Sequence, residues 1–152
     1  MANTLVKDGY VSVNGLEMYY EIHGSGQPLV LLHGAFSAVG TSFGSLLPEL
    51  AKTRQVIGFE LQAHGHTADI DRPLSMDSMA DDVAAAIKEL GFESADVFGY
   101  SMGGGVALRV AIRHPEVVRK LIVAAVTYTF SGIQPGLMEG LGNMTPEMMH
   151  GS

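Results

Sequence analysis

The sequence contains no cysteine among its 152 residues, and this absence removes several functions at once. Disulfides, thiolate metal sites and cysteine nucleophiles are excluded, while a reducing cytosol is compatible with the composition. Basic residues are also scarce, 9 against 16 acidic ones, which gives a formal net charge of −7. This balance argues against nucleic acid and against membrane surfaces as partners.

Long hydrophobic runs are missing as well. The longest, residues 28–32 and 121–126, are too short to span a bilayer, and residues 1–11 lack the apolar stretch of a signal peptide. We therefore expect a cytoplasmic protein. Nucleotide-binding patterns are absent too, since no Gly-x-x-x-x-Gly-Lys occurs and no glycine-rich stretch completes a G-x-G-x-x-G. We expect no cofactor and no metal.

The hydrophobic pattern predicts a series of strands. Two apolar runs, residues 10–13 and 16–22, flank Asn14-Gly15, a pair that tolerates the positive φ angles of a tight turn and so predicts a β-hairpin. Continuous rather than alternating apolar runs are typical of strands buried on both faces of a parallel sheet. Three such runs follow the hairpin, at residues 29–32, 56–59 and 121–126, and residues 96–100 are expected to form a further strand.

Helical spacing separates these strands. Phe43, Leu46, Leu47 and Leu50 recur at that spacing, but Pro48 predicts that the helix kinks or restarts there. A longer helix follows, with Met79, Val83, Ile87 and Leu90 on one face, Ser75 or Asp77 as N-cap and Gly91 as its stop, and another covers residues 103–113. Strands alternating with helices predict an α/β fold with a mostly parallel sheet in a single domain.

One pentapeptide, Gly99-Tyr100-Ser101-Met102-Gly103, carries the chemistry. The G-x-S-x-G pattern is informative here because a buried strand ends and a helix begins at its serine. A nucleophilic serine needs a strained turn with positive φ, and side chains on either flank would crowd it. The N–H groups and dipole of the new helix point to where negative charge would develop. The motif predicts Ser101 as a nucleophile; the alternative is a turn serine in a glycine-rich loop.

An oxyanion hole needs a second backbone donor, and His33-Gly34-Ala35-Phe36 stands directly after the third strand. The glycine permits close approach of the backbone. We expect the N–H groups of Met102 and Ala35 to be the two donors, with Phe36 as the fallback for the second.

Three segments together resemble the α/β-hydrolase superfamily. Residues 33–36, 60–67 and 99–105 occur in its order and spacing, and the similarity is greatest to its serine-nucleophile esterase and C–C hydrolase branches. The resemblance covers residues 9–126. It implies a mostly parallel, doubly covered sheet of the α/β-hydrolase type.

The resemblance also implies roles for individual residues. Ser101 would be the nucleophile, and Ala35 and Met102 the oxyanion donors, in acyl transfer to water. The loop after the second buried strand departs from the family pattern, because Glu60 replaces the usual Asp and Ala63 the first Gly.

The larger departure is length. The sequence implies a fold truncated after the sixth strand, so that residues 1–126 form the N-terminal part of the hydrolase core. Residues 127–152 would be the start of a lid or cap segment or a disordered tail. They contain four methionines that could line an acyl pocket or merely fill gaps: Met138, Met144, Met148 and Met149. No Asp or His matches the remaining triad positions.

Other polar residues have competing interpretations. We interpret His33 as a structural residue that stabilises the loop expected to supply the second oxyanion donor. We interpret Glu60 as a carboxylate that caps the turn after it. His64 and His66 could suggest a metal site, but a third ligand is missing, so a surface pair is favoured. His150 lies near the chain end. Any of these histidines could act as base only within hydrogen-bond distance of Ser101.

Two functions from different classes therefore follow from the sequence. In the first, the chain is the front part of a serine hydrolase acting on a small ester-like substrate, and a companion chain or a second copy completes the sheet and supplies the histidine and acid. In the second, the chain is a catalytically silent fragment that binds small acyl ligands or self-associates. Copurification of a second polypeptide that carries both residues would distinguish them.

Overall fold

Six strands form one mixed sheet in the computed structural model, which describes residues 4–125. The strands are β1 (Leu5–Val13), β2 (Leu16–His23), β3 (Gln27–Leu32), β4 (Arg54–Phe59), β5 (Ala95–Tyr100) and β6 (Val118–Ala124). The helices are α1 (Val39–Phe43), α2 (Leu47–Leu50), α3 (Met76–Glu89) and α4 (Met102–Arg113), with a 3₁₀ turn at Pro115–Val117. The spatial order of the strands is β1-β2-β4-β3-β5-β6.

The hairpin at Asn14-Gly15 is confirmed. Both residues have positive φ, 51° and 81°, as a primed turn requires, and β1 pairs antiparallel with β2. The first strand begins at Leu5, earlier than the predicted residue 10. Its first four residues, Leu-Val-Lys-Asp, are all exposed, and apolar and polar residues do not alternate among them, so the sequence did not predict a strand there. The strands from β3 to β6 run parallel to one another, and β2 joins them antiparallel to β4.

The sheet is covered on both faces, as predicted. Successive residues of β3 point to opposite sides, and all four residues from 29 to 32 are buried. Val30 and Leu32 belong to the cluster that packs against α3 and α4, whereas Leu29 and Leu31 belong to the cluster formed with α1 and α2. The continuous apolar run therefore marks a strand that buries side chains on both faces.

The predicted face of α3 is confirmed. Met79, Val83 and Ile87 are buried against the sheet, and the Ser75 hydroxyl accepts the Ser78 N–H at 3.0 Å, which makes Ser75 the N-cap. Gly91 follows the helix with φ of 92°.

The helix expected over residues 43–50 is in fact two short helices. One ends at Phe43 and the next begins at Leu47, with Pro48 in its first turn, where the missing N–H costs no helical hydrogen bond. Of the two predicted outcomes, kink or restart, the restart is correct.

The sixth strand lies earlier than predicted, at Val118–Ala124 rather than residues 121–126. The prediction followed the apolar run, but the charged start also pairs with β5, where Arg119 forms two hydrogen bonds of 2.9 Å to Asp96. The proposed segment 127–152, with its four methionines and His150, lies outside the described residues. No helix within residues 4–125 has the length and apolarity needed to cross a membrane.

The sheet topology determines where a site can form. The chain moves from β3 to β4 on one side and then to β5 on the other, so the strand order reverses around β3. Ligands of open α/β sheets bind at such a reversal, at the carboxyl ends of the strands. The segments 33–38, 60–75 and 101 follow β3, β4 and β5 at that edge.

Candidate active site

Ser101 lies in a strained turn between β5 and α4. Its backbone has φ 56° and ψ −117°, a conformation that non-glycine residues rarely adopt, and its side chain is half-buried. The Ser101 N–H donates to the Ala124 carbonyl at 2.9 Å, which ties the turn to β6. The predicted strand–serine–helix geometry is therefore confirmed, and strain of this kind is concentrated at functional sites.

The two flanking glycines are required by close backbone contacts. A Cβ on Gly99 would lie 2.2 Å from the Gly103 carbonyl oxygen, and one on Gly103 would lie 2.1 Å from that of Leu32. Such distances leave no room for a methyl group, and the atoms it would meet belong to backbone rather than to movable side chains. The prediction that any side chain would crowd this turn is confirmed.

The loop after β3 contacts the serine turn. A methyl group at Gly34 would lie 3.3 Å from the Tyr100 ring and 3.5 Å from the Ser101 Cβ. The Gly34 N–H donates to the Ser42 hydroxyl at 3.2 Å. Ser42 is a contact that the sequence did not reveal, since nothing in its spacing marks it as a partner of this loop.

Both expected oxyanion donors are free within residues 4–125. No acceptor in that part of the chain takes the N–H of Ala35 or of Met102. Ala35 is exposed beside Phe36, which has φ 56°, and Met102 is the first residue of α4, where backbone N–H groups have no helical partner. Their role as oxyanion donors stays a prediction.

His33 is completely buried and uses both ring nitrogens. Its Nε2 accepts the Leu61 N–H at 3.0 Å, so the ring proton is on Nδ1, which donates to the Gly34 carbonyl at 2.8 Å. The pKa of His33 is lowered from 6.5 to about 4, chiefly by burial and to a lesser extent by the neighbouring His64, while the bond to Gly34 and the charge of Glu60 act in the opposite direction. The expected bracing role of His33 is consistent with these contacts, and its ring has no nitrogen left to act as a base.

The burial of His33 predicts a pH dependence of folding. Because the folded-state pKa is depressed, this stability is complete above pH 6.5 and falls as the unfolded chain takes up the proton between pH 6.5 and about 4. The full loss is about 3 kcal/mol, since each pKa unit corresponds to about 1.4 kcal/mol. We expect urea unfolding of wild type and His33→Asn between pH 4 and 7.5 to show a steeper decline for wild type. Parallel curves would contradict the prediction.

Glu60 caps the turn that follows it and also binds the start of α1. It is 2% exposed; its Oε1 accepts the His66 N–H at 2.7 Å, while its Oε2 accepts the Val39 N–H at 3.1 Å. The capping of the following turn was predicted, whereas the bond to α1 was not. Gly65 makes room for this carboxylate, because a Cβ there would lie 2.3 Å from Glu60 Oε1.

The other histidines between residues 4 and 125 have partners away from the serine. His64 Nδ1 lies 2.8 Å from the Gln62 carbonyl and His66 Nδ1 lies 2.7 Å from Glu60. Likewise His23 pairs with Glu21 and His114 with Asp81. In this part of the chain no group of three or more His, Asp or Glu is arranged to hold a metal ion, and none of these rings bonds to Ser101.

Sequence comparison identifies the family to which this site belongs. The sequence model of the alpha/beta hydrolase fold family matches residues 27–143, most of the chain. The chain belongs to the α/β-hydrolase family. The sequence-based recognition is therefore confirmed, as is the fold class.

Several α/β-hydrolases are similar to this one. A 2-hydroxymuconate semialdehyde hydrolase from Pseudomonas sp. (strain CF600) is 36% identical over 121 residues, 78% of this chain and 41% of the relative. A soluble epoxide hydrolase from Corynebacterium sp. (strain C12) is 33% identical over 114 residues, 73% of this chain and 38% of the relative. A solved structure of a marine microorganism esterase is 33% identical with a TM-score of 0.73, over 86% of this chain and 52% of that one.

Two facts follow from these relatives. This α/β-hydrolase chain spans about half or less of their lengths, which agrees with a fold truncated relative to them. The relatives are hydrolases, but their names refer to a semialdehyde, an epoxide and an ester, so membership in the family leaves the substrate class open.

Proposed function

We propose that this chain is the nucleophile-bearing part of a serine hydrolase that cleaves a small ester or related carbonyl substrate through an acyl-enzyme. The observation that carries the proposal is the strained backbone of Ser101, with φ 56° at the junction of β5 and α4. A turn serine without a role would have no need of this conformation, because an ordinary residue geometry could connect the two elements at lower energy.

The surroundings of Ser101 support nucleophilic attack on a carbonyl. Its hydroxyl would add to the carbonyl carbon, and the N–H groups of Ala35 and Met102 would stabilise the resulting oxyanion. The rim of the site carries two exposed aromatic side chains, Phe36 at 66% and Tyr100 at 45%, which favours a substrate with an apolar acyl group. Water then releases the acyl group.

A histidine must take the serine proton, and a carboxylate must orient that histidine. Since the histidines of residues 4–125 are engaged elsewhere, we propose that both groups come from outside these residues, through a companion chain or another copy of this one. The lack of cysteine favours a cytoplasmic location for this assembly. The same engagement of the histidines favours the second candidate, a catalytically silent fragment that binds acyl ligands.

Turnover of a p-nitrophenyl ester distinguishes the two candidates. The purified chain is expected to be a poor catalyst, since the oxyanion hole and binding alone leave roughly 10³–10⁴-fold acceleration over water when triad members are absent. Ser101→Ala should lower the rate further, because the attacking oxygen is lost, but it should keep the acceleration that backbone donors and binding supply without the serine. Ser45→Ala, at an exposed position after α1, is the matched control and should match wild type.

Each outcome is informative. If wild type and Ser101→Ala hydrolyse the ester equally, the nucleophile is misassigned and the silent fragment is the better description. Robust turnover by the chain alone that depends on Ser101 would contradict an external histidine and would point to a base within the chain.

A further inference from the structure

The loop that offers the Ala35 N–H has little burial of its own to hold it in place. We refer to residues 34–38, between β3 and α1, as the oxyanion loop. Ala35 and Phe36 are exposed, and Phe36 has φ 56°, so neither apolar packing nor a relaxed backbone accounts for the conformation. A donor acts on an oxyanion only when it is held within hydrogen-bond distance of it, so hydrogen bonds must fix the loop. One of them joins the Ser37 and Ser42 hydroxyls at 2.7 Å.

The far end of the loop is fixed by Glu60. Its carboxylate accepts the N–H of Val39, the first residue of α1, at 3.1 Å. The Glu60 backbone is itself held, because its N–H donates to the Tyr19 carbonyl at 3.0 Å and its own carbonyl accepts the Thr67 hydroxyl at 2.7 Å. The Ser42 hydroxyl holds the near end, where it accepts the Gly34 N–H at 3.2 Å, and the next peptide, between Gly34 and Ala35, carries the expected donor.

That peptide is held by His33. The ring is buried and anchored to Leu61, whose N–H donates to Nε2 at 3.0 Å, and this bond places the ring proton on Nδ1. Nδ1–H then donates to the Gly34 carbonyl at 2.8 Å. In a trans peptide the C=O and the following N–H point in opposite directions, and no cis peptide occurs in the described residues. The Ala35 N–H is therefore turned away from the His33 ring.

The loop adjoins the serine turn at Gly34. Gly34 lies so near this turn that a methyl group added to it would be 3.3 Å from the Tyr100 ring and 3.5 Å from the Ser101 Cβ. The geometry assigns His33 the role of a positioning residue: its Nδ1–H holds the Gly34 carbonyl and so turns the Ala35 N–H toward Ser101. This inference rests on the proposed function, in which that N–H is an oxyanion donor.

Two replacements separate this role from simple packing. In His33→Asn the amide lies near the Nδ1 position and can still donate to Gly34, whereas in His33→Gln the longer side chain reaches the Nε2 position and can still accept from Leu61. Both lose the ring and its buried contacts. Only the glutamine variant loses the bond that orients the Ala35 peptide, so the difference between them reports on orientation.

The kinetic readout is the Ser101-dependent hydrolysis of a p-nitrophenyl ester, measured as kcat and KM after subtraction of the Ser101→Ala rate. His33→Gln is expected to lower kcat by about 10- to 100-fold with little change in KM. The reason is that an N–H group that points away from the oxyanion stabilises the transition state less, whereas substrate binding hardly depends on it. His33→Asn should lower kcat by only about threefold. His64→Asn is the control, since its ring lies 5.0 Å from that of His33 but bonds to Gln62 instead.

A second readout does not depend on activity. In the ¹⁵N-labelled protein, nuclear magnetic resonance should show the His33 ring at pH 7 as the neutral tautomer with its proton on Nδ1. The chemical shift of the Ala35 amide should change more in His33→Gln than in His33→Asn. If Ser101→Ala has no effect on hydrolysis, the proposed function fails and the nitrogen spectrum alone decides the inference. A proton on Nε2, or equal kcat losses in the two His33 variants, would overturn it.

Discussion

Gly103→Ala is expected to destabilise the fold and to abolish the serine turn. The added Cβ would lie 2.1 Å from the Leu32 carbonyl oxygen and 2.5 Å from that of His33. These atoms belong to the end of β3 and to the residue just before the oxyanion loop, so α4 can accommodate the methyl group only by moving away from the sheet. Forced overpacking of this kind typically costs about 1–3 kcal/mol and occasionally more, and the contact with backbone atoms places this substitution at the upper end.

The consequence extends beyond stability. A shift of α4 carries Ser101 and the Met102 N–H away from the loop at Gly34, and a displacement of about 1 Å at a reacting centre can reduce a rate by about 100-fold. Urea unfolding measures the stability, and Ser101-dependent hydrolysis of a p-nitrophenyl ester measures the rate.

Gly40→Ala is the matched control for this experiment. Gly40 lies in α1 with nothing within 4 Å of an added Cβ, so the same substitution there removes only backbone freedom and should leave stability equal or slightly higher. Equal stability of Gly103→Ala and Gly40→Ala would show that the contact between α4 and β3 is less constrained than the structure indicates.

Self-association or capture of a companion chain is the second large effect that we expect. None of the seven residues of β6 is fully buried, whereas four of the six in the neighbouring β5 are. Ile122 and Val123 are 48% and 39% exposed. β6 is the last strand in the sheet order of residues 4–125, and no strand of that part of the chain pairs with its outer edge. Backbone groups at such an edge recruit further strands.

Charge is confined to the start of this strand, at Arg119 and Lys120. Arg119 is turned to its own sheet, where it and Arg54 hold the buried Asp96 and its guanidinium lowers the pKa of that carboxyl. An apolar groove of about 530 Å³ also lies on the face formed by Leu29, Phe98 and Ile122. The lining also includes Arg54, Asp96 and Lys120 but not Ser101, so the groove fits an interface better than the substrate pocket of this serine.

Size-exclusion chromatography with light scattering tests this expectation at micromolar concentration. We expect a mass above the 16.1 kDa of one chain, or a copurified partner. Ile122→Lys should weaken association by about tenfold or more, since it places a charge on the exposed edge. Ile112→Lys is the control, because Ile112 is 77% exposed on α4, away from β6. A cooperatively folding monomer would contradict a shared sheet.

Local patterns were sufficient for much of the fold. The hairpin at Asn14-Gly15, the buried face of α3 and the strands with continuous apolar runs were predicted because each depends on residues close in sequence. The need for glycine at positions 99 and 103, on either side of Ser101, was predicted for the same reason, because the serine turn is a local backbone geometry. Boundaries were less accurate where exposed or charged residues extend a strand, as at Leu5 and at Val118.

Contacts between distant residues had no sequence signal. Asp82 is buried in α3, where it accepts the Asn14 amide at 3.1 Å and pairs with Arg72, although Asn14 is 68 positions away. Ser42 and Glu60 likewise hold the oxyanion loop from outside it. These polar pairs stabilise the site because buried donors and acceptors must be satisfied, and only the packing of the elements determines which of them meet.

The sequence by itself determined the α/β class, the order of most strands and helices, and Ser101 as the residue of chemical interest, because periodicity and turn chemistry are local properties. Tertiary structure alone decided that His33 is buried with a fixed tautomer, that Glu60 joins two loops, and that β6 is left exposed at the sheet edge. Each of these depends on which segments the sheet brings together, and strand order is set by the burial of the whole chain rather than by any one segment.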